Sequence, residues 1–477
     1  MFKKEKNSLN DLLLVTLITF VPFLVWFNLF SFKLIGQPFI MDDLHFIRVY
    51  PFEELIGSWS NNWVLNNVET PSYRPTAVMF YNFLGSLFLE NTYLIRLFIF
   101  FMMFLLILFT NIMLVKVGFG FFGLVIFSSL ITFSKIYTAL VSWMTLSALI
   151  FCYIFAILSI VCFLLWLEKK NKKYYLLSFL FAFIAIFCRE ELYTLPALLF
   201  VISFCLKNKP KINTFNLIIS CLPFAFVVIL HIVLREIFVV EASQIGFSLD
   251  SIKFGSEDVS FGNLIKAFKA SWFPMGYISI KDANLKNSLI YITWIVWIIS
   301  VALSAIIYIL FKDSRYISSK KILLFFFLAI ILCSSNLAVA RSFGIFLPSI
   351  FTFSIITVFV LSLVKIGFHT RYNFFIKTLS KFLILSILIS GLVGGYVRSN
   401  EHTNSMNLFS EYVVTWDSTF VYDYYEQGID VNIPKNRLEK KRNHLRKLNI
   451  TTKIDINKPF SYYSDKIFYP AFHPEDF

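Results

Sequence analysis

Apolar runs of about 20 residues recur along most of the chain, and they constrain its fold more than any other feature. A run of this length spans a lipid bilayer as an α-helix. Hydrophobic residues make up 58% of the 477 residues and charged residues 15%, whereas soluble domains average about 45–50% and about 25%. The sequence therefore excludes soluble, disordered and disulfide-scaffold proteins, and it predicts an all-α polytopic membrane protein.

The first apolar run extends from Leu12 to Leu34 and follows a short basic segment. It is too long for the apolar region of a cleaved signal peptide, and no small-residue cleavage site follows it. We therefore predict that it is the first transmembrane helix, with the N-terminus in the cytoplasm. Further predicted spans, which bring the total to about eleven, are 93–115, 119–134, 146–167, 174–188, 192–206, 214–238, 288–311, 322–340, 343–364 and 379–397.

Clusters of lysine and arginine assign the sides of the membrane. With eleven spans and a cytoplasmic N-terminus, every cluster becomes cytoplasmic, as the positive-inside rule requires, and the C-terminus is extracytoplasmic. The net charge of +14 is then explained by anionic membrane lipid, and nucleic acid is excluded as a partner because no basic domain with interleaved aromatic residues is present. The clusters are Lys169, Lys170, Lys172 and Lys173; Lys207, Lys209 and Lys211; Lys312, Arg315, Lys320 and Lys321; and Lys365, Arg371, Lys377 and Lys381.

This topology divides the chain into a transmembrane domain, 1–398, and an extracytoplasmic tail or small domain, 399–477. The transmembrane domain has two large outer loops, 36–92 and 239–287, and the second contains a predicted amphipathic interfacial helix within 261–274. We expect a multi-pass protein of the cell (inner or plasma) membrane. The six cysteines form no CxxC pair and are interpreted as apolar core residues.

Two candidate motifs lie in the first outer loop. Asp42 and Asp43 form an acidic pair that can act as a general base or bind a divalent cation; a solvated loop or a helix cap is the alternative. Glu69, Tyr73 and Arg74 lie at the end of the loop, before a short apolar stretch at 76–89 that is interpreted as re-entrant or interfacial. The planar guanidinium of arginine suits phosphate, although an interfacial anchor is also compatible with Arg74.

Two further motifs fall at outer ends of predicted spans. Arg189 and Glu190 precede Glu191 between two short apolar runs, where Arg189 could bind phosphate and Glu190 could hold an arginine or a sugar hydroxyl; a plain hairpin turn is the alternative. Arg341 is a lone charge at an outer turn, which could also be a snorkelling side chain. His231, before Arg235 and Glu236, is interpreted as a packed polar histidine.

All four motifs lie on the side opposite the basic clusters, although the sides were assigned from lysines and arginines in other loops. Ionisable residues at membrane depth or at span ends are costly to bury, which makes these motifs candidates for a functional site. The sequence contains no Walker A motif, no GxGxxG after a strand and no GxSxG, so a nucleotide-binding site is not indicated.

The order of these motifs resembles the GT-C superfamily, polytopic glycosyltransferases that use polyprenyl-phosphate sugars. The resemblance consists of spaced short motifs over most of 1–398. Their pattern is similar to that of the branch containing the protein O-mannosyltransferases and the TPR-linked transmembrane mannosyltransferases. The lipid A aminoarabinose transferases have a comparable Tyr-x-Lys-Pro-Pro, and a serotype-converting type of bacterial glucosyltransferase is a similar match. The matching residues are Asp42-Asp43, Tyr73-Arg74-Pro75, Arg189-Glu190-Glu191 with Pro196, and Arg341 with Phe346-Leu347-Pro348-Ser349.

Three departures leave the acceptor, the sugar and any metal open. The branch often has His-Thr-Glu-Ala-Val where this chain has Tyr137-Thr138-Ala139-Leu140-Val141, so the glutamate is absent. Ala340 replaces the glutamate that precedes the late arginine, and no TPR array follows.

The resemblance implies an inverting hexosyltransferase with its active site on the extracytoplasmic face. Asp42 or Asp43 would deprotonate the acceptor and could bind a divalent metal ion, while Arg74, Arg189 and Arg341 would hold the lipid phosphate. Glu69, Tyr73 and Glu190 would complete the substrate site. The partners would be a polyprenyl-phosphate-linked sugar donor, a glycan, lipid or protein acceptor, and membrane lipid.

Two other activities stay open, and so does a non-catalytic membrane scaffold, which would tolerate Asp42→Asn together with Asp43→Asn. A lipid-linked oligosaccharide flippase or transporter should show internal repeats and charges at mid-membrane depth, and neither is visible in the sequence. An O-antigen-type polymerase would rely on Arg and His in a large late loop.

Overall fold

Helices account for nearly all of the chain that the structure describes. The computed structural model describes residues 8–35, 46–60, 73–88, 91–204, 213–238, 261–275, 288–334, 345–368 and 372–415. In these ranges the α-helices are α1 (Ser8–Ile35), α2 (Phe52–Gly57), α3 (Pro75–Phe88), α4 (Thr92–Val117), α5 (Phe121–Thr132), α6 (Lys135–Ser142), α7 (Ser147–Lys169), α8 (Lys172–Ile186), α9 (Leu195–Ser203), α10 (Thr214–Phe238), α11 (Phe261–Ala270), α12 (Ser288–Leu310), α13 (Ser319–Cys333), α14 (Phe346–Phe368) and α15 (Phe374–Thr415).

Seven helices in the described ranges are long and apolar enough to cross a membrane. An eighth span is obtained when α5 and α6, which are bent by 55° relative to each other, are counted as one broken span. Each of the eight overlaps a span that the sequence predicts. The protein is thus a multi-pass helical membrane protein, as expected from its apolar runs.

Three predicted spans correspond to helices that are too short for this test. α8 and α13 have 15 residues each and α9 has nine, whereas a bilayer crossing takes about 20 residues. Pro196 explains part of this for α9, because it lies in the first turn and lacks the N–H that an earlier helical turn would need. The count of eleven spans stays a prediction.

The helices differ in how far they are enclosed by the rest of the bundle. In the most apolar 18-residue window of α14, 94% of the residues are buried, compared with 78% in α7 and about a third or less in α1, α10, α12 and α15. The outer helices expose large apolar side chains, among them Leu17, Phe226 and Ile309. A helix that is apolar on its exposed face suits a lipid environment. We therefore place α14 and α7 at the centre of the bundle and α1, α10, α12 and α15 towards lipid, with α4, which is 56% buried, between the two groups.

Gly395 allows α15 to pack closely against the bend between α5 and α6. A Cβ atom at this position would lie 2.3 Å from the carbonyl oxygen of Phe133, so any larger residue would force the backbones apart. The same helix continues without a break to Thr415, and residues 399–415 of the predicted tail therefore extend the last apolar helix. The rest of the tail lies outside the described residues.

Basic connections meet at one end of the bundle, which we call the lysine end. There Lys116 pairs with Glu168 at 2.6 Å, Lys321 donates to the carbonyl oxygen of Val117 at 3.0 Å, and Lys365 donates to the carbonyl oxygen of Arg315 at 3.2 Å. These contacts join three of the four clusters that the charge pattern assigned to one side; the cluster at 207–211 lies outside the described residues.

The structure also agrees with two smaller predictions, on the segment 261–274 and on the cysteines. An α-helix at Phe261–Ala270 carries Lys266 and Lys269 exposed, in the segment that was predicted to be amphipathic. Five cysteines in the described ranges are buried and free, as expected for apolar core residues; Cys205 lies outside these ranges.

Candidate functional site

An ion pair between Arg74 and Glu190 lies at the end of the bundle opposite the lysine end. The Nε and Nη2 atoms of Arg74 both contact Oε2 of Glu190, each at 2.8 Å. The two side chains are 14% and 18% exposed, so water screens the pair only in part. We call this region the Arg74 end; α8, with 15 residues and thus about 22 Å of length, separates it from the lysine end.

Local sequence explains why both side chains lie in short connections. Pro75 begins α3, where its missing N–H costs nothing, so Arg74 stays in the segment just before the helix. The residues Glu190–Thr194 form a single 3-10 turn between α8 and α9. Thr76 of α3 donates to the carbonyl oxygen of Ile184 at 3.0 Å, which holds the start of α3 against the end of α8.

A second pair lies next to the first. Nη2 of Arg189 donates to Oε1 of Glu191 at 2.9 Å, and the Arg189 side chain is only 9% exposed. Within the described ranges, Nε of Arg189 and Oε2 of Glu191 are buried without a hydrogen-bond partner. Buried polar groups in native proteins nearly always have partners, so Nε of Arg189 can donate one further hydrogen bond and Oε2 of Glu191 can accept one.

The arginines keep the Glu190 carboxylate charged. Burial by itself raises the pKa of Glu190 and is the largest single influence on it. The positive charges around the carboxylate, those of Arg74 and Arg189 among them, together outweigh burial and lower this pKa to about 2. The site is therefore a fixed array of two guanidinium groups, each compensated by a neighbouring carboxylate.

This depressed pKa predicts a pH-dependent contribution to stability. The unfolded carboxyl takes up its proton near its ordinary pKa of 4.5, whereas the folded one does so only near 2. The contribution is therefore complete above pH 4.5 and is lost as the pH falls through about 2, for a total of about 3 kcal/mol. Thermal unfolding in detergent from pH 6 to pH 3 should show a steeper loss for the native chain than for Glu190→Gln, and parallel profiles would contradict this assignment.

His231 connects the Arg74 segment to the long helix α10. Its Nε2 atom donates to the carbonyl oxygen of Tyr73 at 2.9 Å, and its Nδ1 atom accepts from the hydroxyl of Tyr193 at 2.7 Å. These donor and acceptor roles are those of the neutral imidazole with its proton on Nε2. The Tyr73 hydroxyl in turn donates to the carbonyl oxygen of Trp59 at 2.8 Å. This chain of bonds fixes the backbone that carries Arg74, and it agrees with the interpretation of His231 as a packed polar residue.

A second polar cluster lies at the Arg74 end, around α6. Arg96 is fully buried, and its Nη1 atom donates to the carbonyl oxygens of Val141 and Ser142 at 2.8 and 2.7 Å. Nε2 of His402 lies 2.8 Å from the Ser142 hydroxyl, and Lys135 is 4% exposed. The cluster lies beside the first because the Tyr81 hydroxyl, in α3, donates to the carbonyl oxygen of Thr145 at 2.6 Å.

The structure brings together half of the residues that the sequence selects. Tyr73, Arg74, Arg189 and Glu190 share the Arg74 end, and Glu190 holds an arginine as anticipated. Asp42, Asp43, Glu69 and Arg341 lie outside the described residues. Within the described ranges, no group of three or more His, Cys, Asp or Glu side chains could hold a metal ion. The predicted metal ligands Asp42 and Asp43 lie outside those ranges.

Sequence reasoning did not select Tyr193, Arg96, Lys135 or His402. Arg96 and Lys135 did carry a signal, because each is a lone basic residue beside or within a long apolar run. His402 carried none, since it lies 260 residues from its partner Ser142 in a polar part of the sequence.

No family model matches the sequence, and no curated protein matches it significantly. Among solved structures, the chain is similar to the oligosaccharyltransferase of Archaeoglobus fulgidus in the apo form (12% identity, TM-score 0.48, 96% of this chain and 62% of that chain). It is also similar to that enzyme tethered with an acceptor peptide (10%, 0.49, 95% and 61%) and to archaeal oligosaccharyltransferase AglB from Archaeoglobus fulgidus in complex with an inhibitory peptide and a dolichol-phosphate (12%, 0.48, 95% and 62%).

The chain spans less than two thirds of the length of these proteins. At 10–12% identity and with TM-scores below 0.5, these similarities do not indicate what this chain does. Its function has to be inferred from its own residues. Its fold and site define a multi-pass helical membrane protein with paired arginine and glutamate charges at one end of the bundle.

Proposed function

We propose that the chain is an integral membrane glycosyltransferase of the GT-C type. It moves a sugar from a polyprenyl-phosphate carrier to a glycan, lipid or protein acceptor on the extracytoplasmic face. Its bundle has about eleven transmembrane helices, a cytoplasmic N-terminus and an extracytoplasmic C-terminus.

The contact between Arg74 and Glu190 is the observation that carries this proposal. Each belongs to a short motif that is weak alone, Tyr73-Arg74-Pro75 in one case and Arg189-Glu190-Glu191 in the other. The two residues are 116 positions apart in sequence, yet they are in direct contact. Two motifs that form one binding site should be in contact. Two unrelated membrane anchors have no reason to be.

The distribution of charge supports a site on the extracytoplasmic side. The lysine end collects the basic connections, which the positive-inside rule places in the cytoplasm. The Arg74 end is the opposite end, where nucleotide sugars are absent. A donor carried in the bilayer reaches that side, which fits a chain without nucleotide-binding motifs.

The chemistry follows from the residue types. Asp42 or Asp43 accepts the proton of the acceptor hydroxyl, whose oxygen attacks the anomeric carbon of the donor. The bond from that carbon to the phosphate oxygen breaks with inversion, and its electron pair leaves with the polyprenyl phosphate. Arg74, Arg189 and Arg341 offset the charge that develops on the phosphate.

Other groups complete the proposed site. Nε of Arg189, which lacks a partner in the described ranges, is a suitable donor for a phosphate oxygen. Tyr73 and Glu190 hold the arginines in place, and Glu69 binds substrate. Asp42 and Asp43 are also the type of ligand that a divalent cation prefers.

Loss of one sugar from the cell surface is the expected result of deleting the gene. Masses of surface glycans and glycoproteins would be compared among the deletion strain and strains complemented with the native chain or with Asp42→Asn/Asp43→Asn. We expect the native chain to restore one discrete sugar mass and the double variant to restore less than about 1% of it, since a general base contributes about 10²–10⁴-fold.

A matched control is Glu53→Gln, which removes an exposed carboxylate from the same predicted outer loop and should restore the sugar fully. Restoration by the aspartate variant would overturn the catalytic assignment. Loss of whole polymer chains from the deletion strain would favour a polymerase or a flippase instead.

A further inference from the structure

A groove at the lysine end has the features of a lipid-binding site. Its volume is about 540 Å³, within the range of about 300–1,000 Å³ that is common for ligand pockets. It lies where the end of α7 and the start of α8 meet α10. The lining residues are Trp166, Lys172, Lys173, Tyr175, Leu176 and Ser220.

The walls of the groove are aromatic and held in place. The rings of Trp166 and Tyr175 contact each other with centroids 4.9 Å apart. The Tyr175 hydroxyl donates to the carbonyl oxygen of Ser220 at 2.9 Å, which ties α8 to α10 across the groove. Tyr175 also packs edge-on against Phe224 at 5.7 Å. The groove is therefore preformed, and its occupant does not have to order the walls.

The rim is strongly basic, because four lysines lie within residues 169–173. Glu168 is the carboxylate closest to them in sequence, and Lys116 pairs with it at 2.6 Å. Lys170 lies over the ring of Trp166, with Nζ 5.4 Å from the ring centroid. The charge at this rim thus exceeds what the adjacent carboxylate can balance, and it favours an anion.

The outer surface around the groove is apolar. Leu176 is 69% exposed, and on α10 Phe215, Ile219 and Leu222 are also exposed. Exposed apolar side chains beside a cationic rim match the two parts of a phospholipid, an anionic headgroup and acyl chains. A free phosphate ion would use only the rim. Basic pockets between transmembrane helices are common binding sites for anionic headgroups.

We propose that this groove binds an anionic phospholipid of the leaflet at the lysine end. Lys172 and Lys173 bind the phosphate of the headgroup, and the Trp166, Tyr175 and Leu176 side chains contact the glycerol and the first part of an acyl chain. The site is about 22 Å from the Arg74 end, the length of α8. The proposal does not depend on the glycosyltransferase assignment.

Native mass spectrometry of the purified full-length protein tests the proposal. The protein would be incubated with phosphatidylglycerol, with phosphatidylcholine, or with phosphatidylglycerol plus inorganic phosphate, and the lipid retained per chain would be counted. We expect retention of phosphatidylglycerol over phosphatidylcholine, and a loss of about 10- to 30-fold in affinity for Lys172→Gln/Lys173→Gln. Both lysines are exposed, so the variant should fold.

The matched control is Lys312→Gln/Lys320→Gln, which removes the same charge from two exposed lysines of another connection at the lysine end. It should retain phosphatidylglycerol within about twofold of the native chain, since these residues do not line the groove. Leu176→Gln should also weaken retention, through the apolar wall. Equal losses in both lysine variants would show diffuse charge attraction and overturn the proposal. Equal retention of the two lipids, or full displacement by inorganic phosphate, would overturn it as well.

Discussion

Exchange of the two charges in Arg74→Glu/Glu190→Arg should give a protein that folds but does not transfer sugar. Glu190→Ala alone leaves a half-buried guanidinium without its main partner. Loss of one member of a fully buried pair costs about 3–5 kcal/mol, and the cost for this partly exposed pair should lie at or below the lower end of that range. The exchange restores opposite charges at the same two positions and should recover most of that stability. It moves the guanidinium from residue 74 to residue 190, however, and the proposed phosphate contact at residue 74 is then lost.

Thermal unfolding in detergent gives the stability, and surface-glycan mass in the complemented deletion strain gives the activity. The chain provides a matched control in the pair of Arg48 and Glu54, also 2.8 Å apart and similarly exposed. Arg48→Glu/Glu54→Arg should keep both stability and activity. If the exchange at residues 74 and 190 restores sugar transfer along with stability, the pair has a structural role only, and the phosphate-binding role of Arg74 is wrong.

The helices could be predicted because their signal is local. An apolar run of bilayer length can bury its backbone polar groups only as helix, and the predicted span 214–238 has the bounds of α10, Thr214–Phe238. Where polar residues or prolines interrupt the run, the prediction is less accurate. The predicted span 192–206 is a 3-10 turn, Glu190–Thr194, followed by the nine-residue helix α9.

Only part of the site could be predicted, from charged residues at the ends of spans and from the order of the motifs. Charges between two apolar runs are costly, so Arg189 and Glu190 could be selected from the sequence. The sequence could not show which arginine pairs with Glu190. The pairing with Arg74 depends on how α3 packs against the end of α8. The backbone contacts of His231 and Arg96 are likewise invisible in sequence, since a carbonyl acceptor is present at every residue.

Replacement of His231 should reduce sugar transfer more than its effect on folding explains. His231→Leu removes the donor to the Tyr73 carbonyl and the acceptor of the Tyr193 hydroxyl. The Tyr73 carbonyl loses its donor, which costs about 1–3 kcal/mol for a buried polar group, and the Tyr193 hydroxyl, which keeps a hydrogen bond with Arg235, loses one of its two partners. We therefore expect a total loss of about 2–4 kcal/mol. The Tyr73 segment also loses its link to α10, and a small displacement of Arg74 weakens a contact that needs accurate geometry.

Graded variants separate positioning from folding. His231→Gln retains an N–H donor for the Tyr73 carbonyl and should recover part of the transfer, while Tyr193→Phe, which leaves that bond intact, should have the smallest effect. His402→Leu is the control, because it makes the same substitution at another buried histidine, which bonds Ser142 instead of Tyr73. Transfer would be measured as surface-sugar mass per folded protein. We expect a loss of about 10- to 100-fold for His231→Leu, since a misplacement of about 1 Å can cost about 10²-fold. Equal losses in both histidine variants would show that buried histidines at this end serve folding alone, and His231 would then have no specific role in holding Arg74.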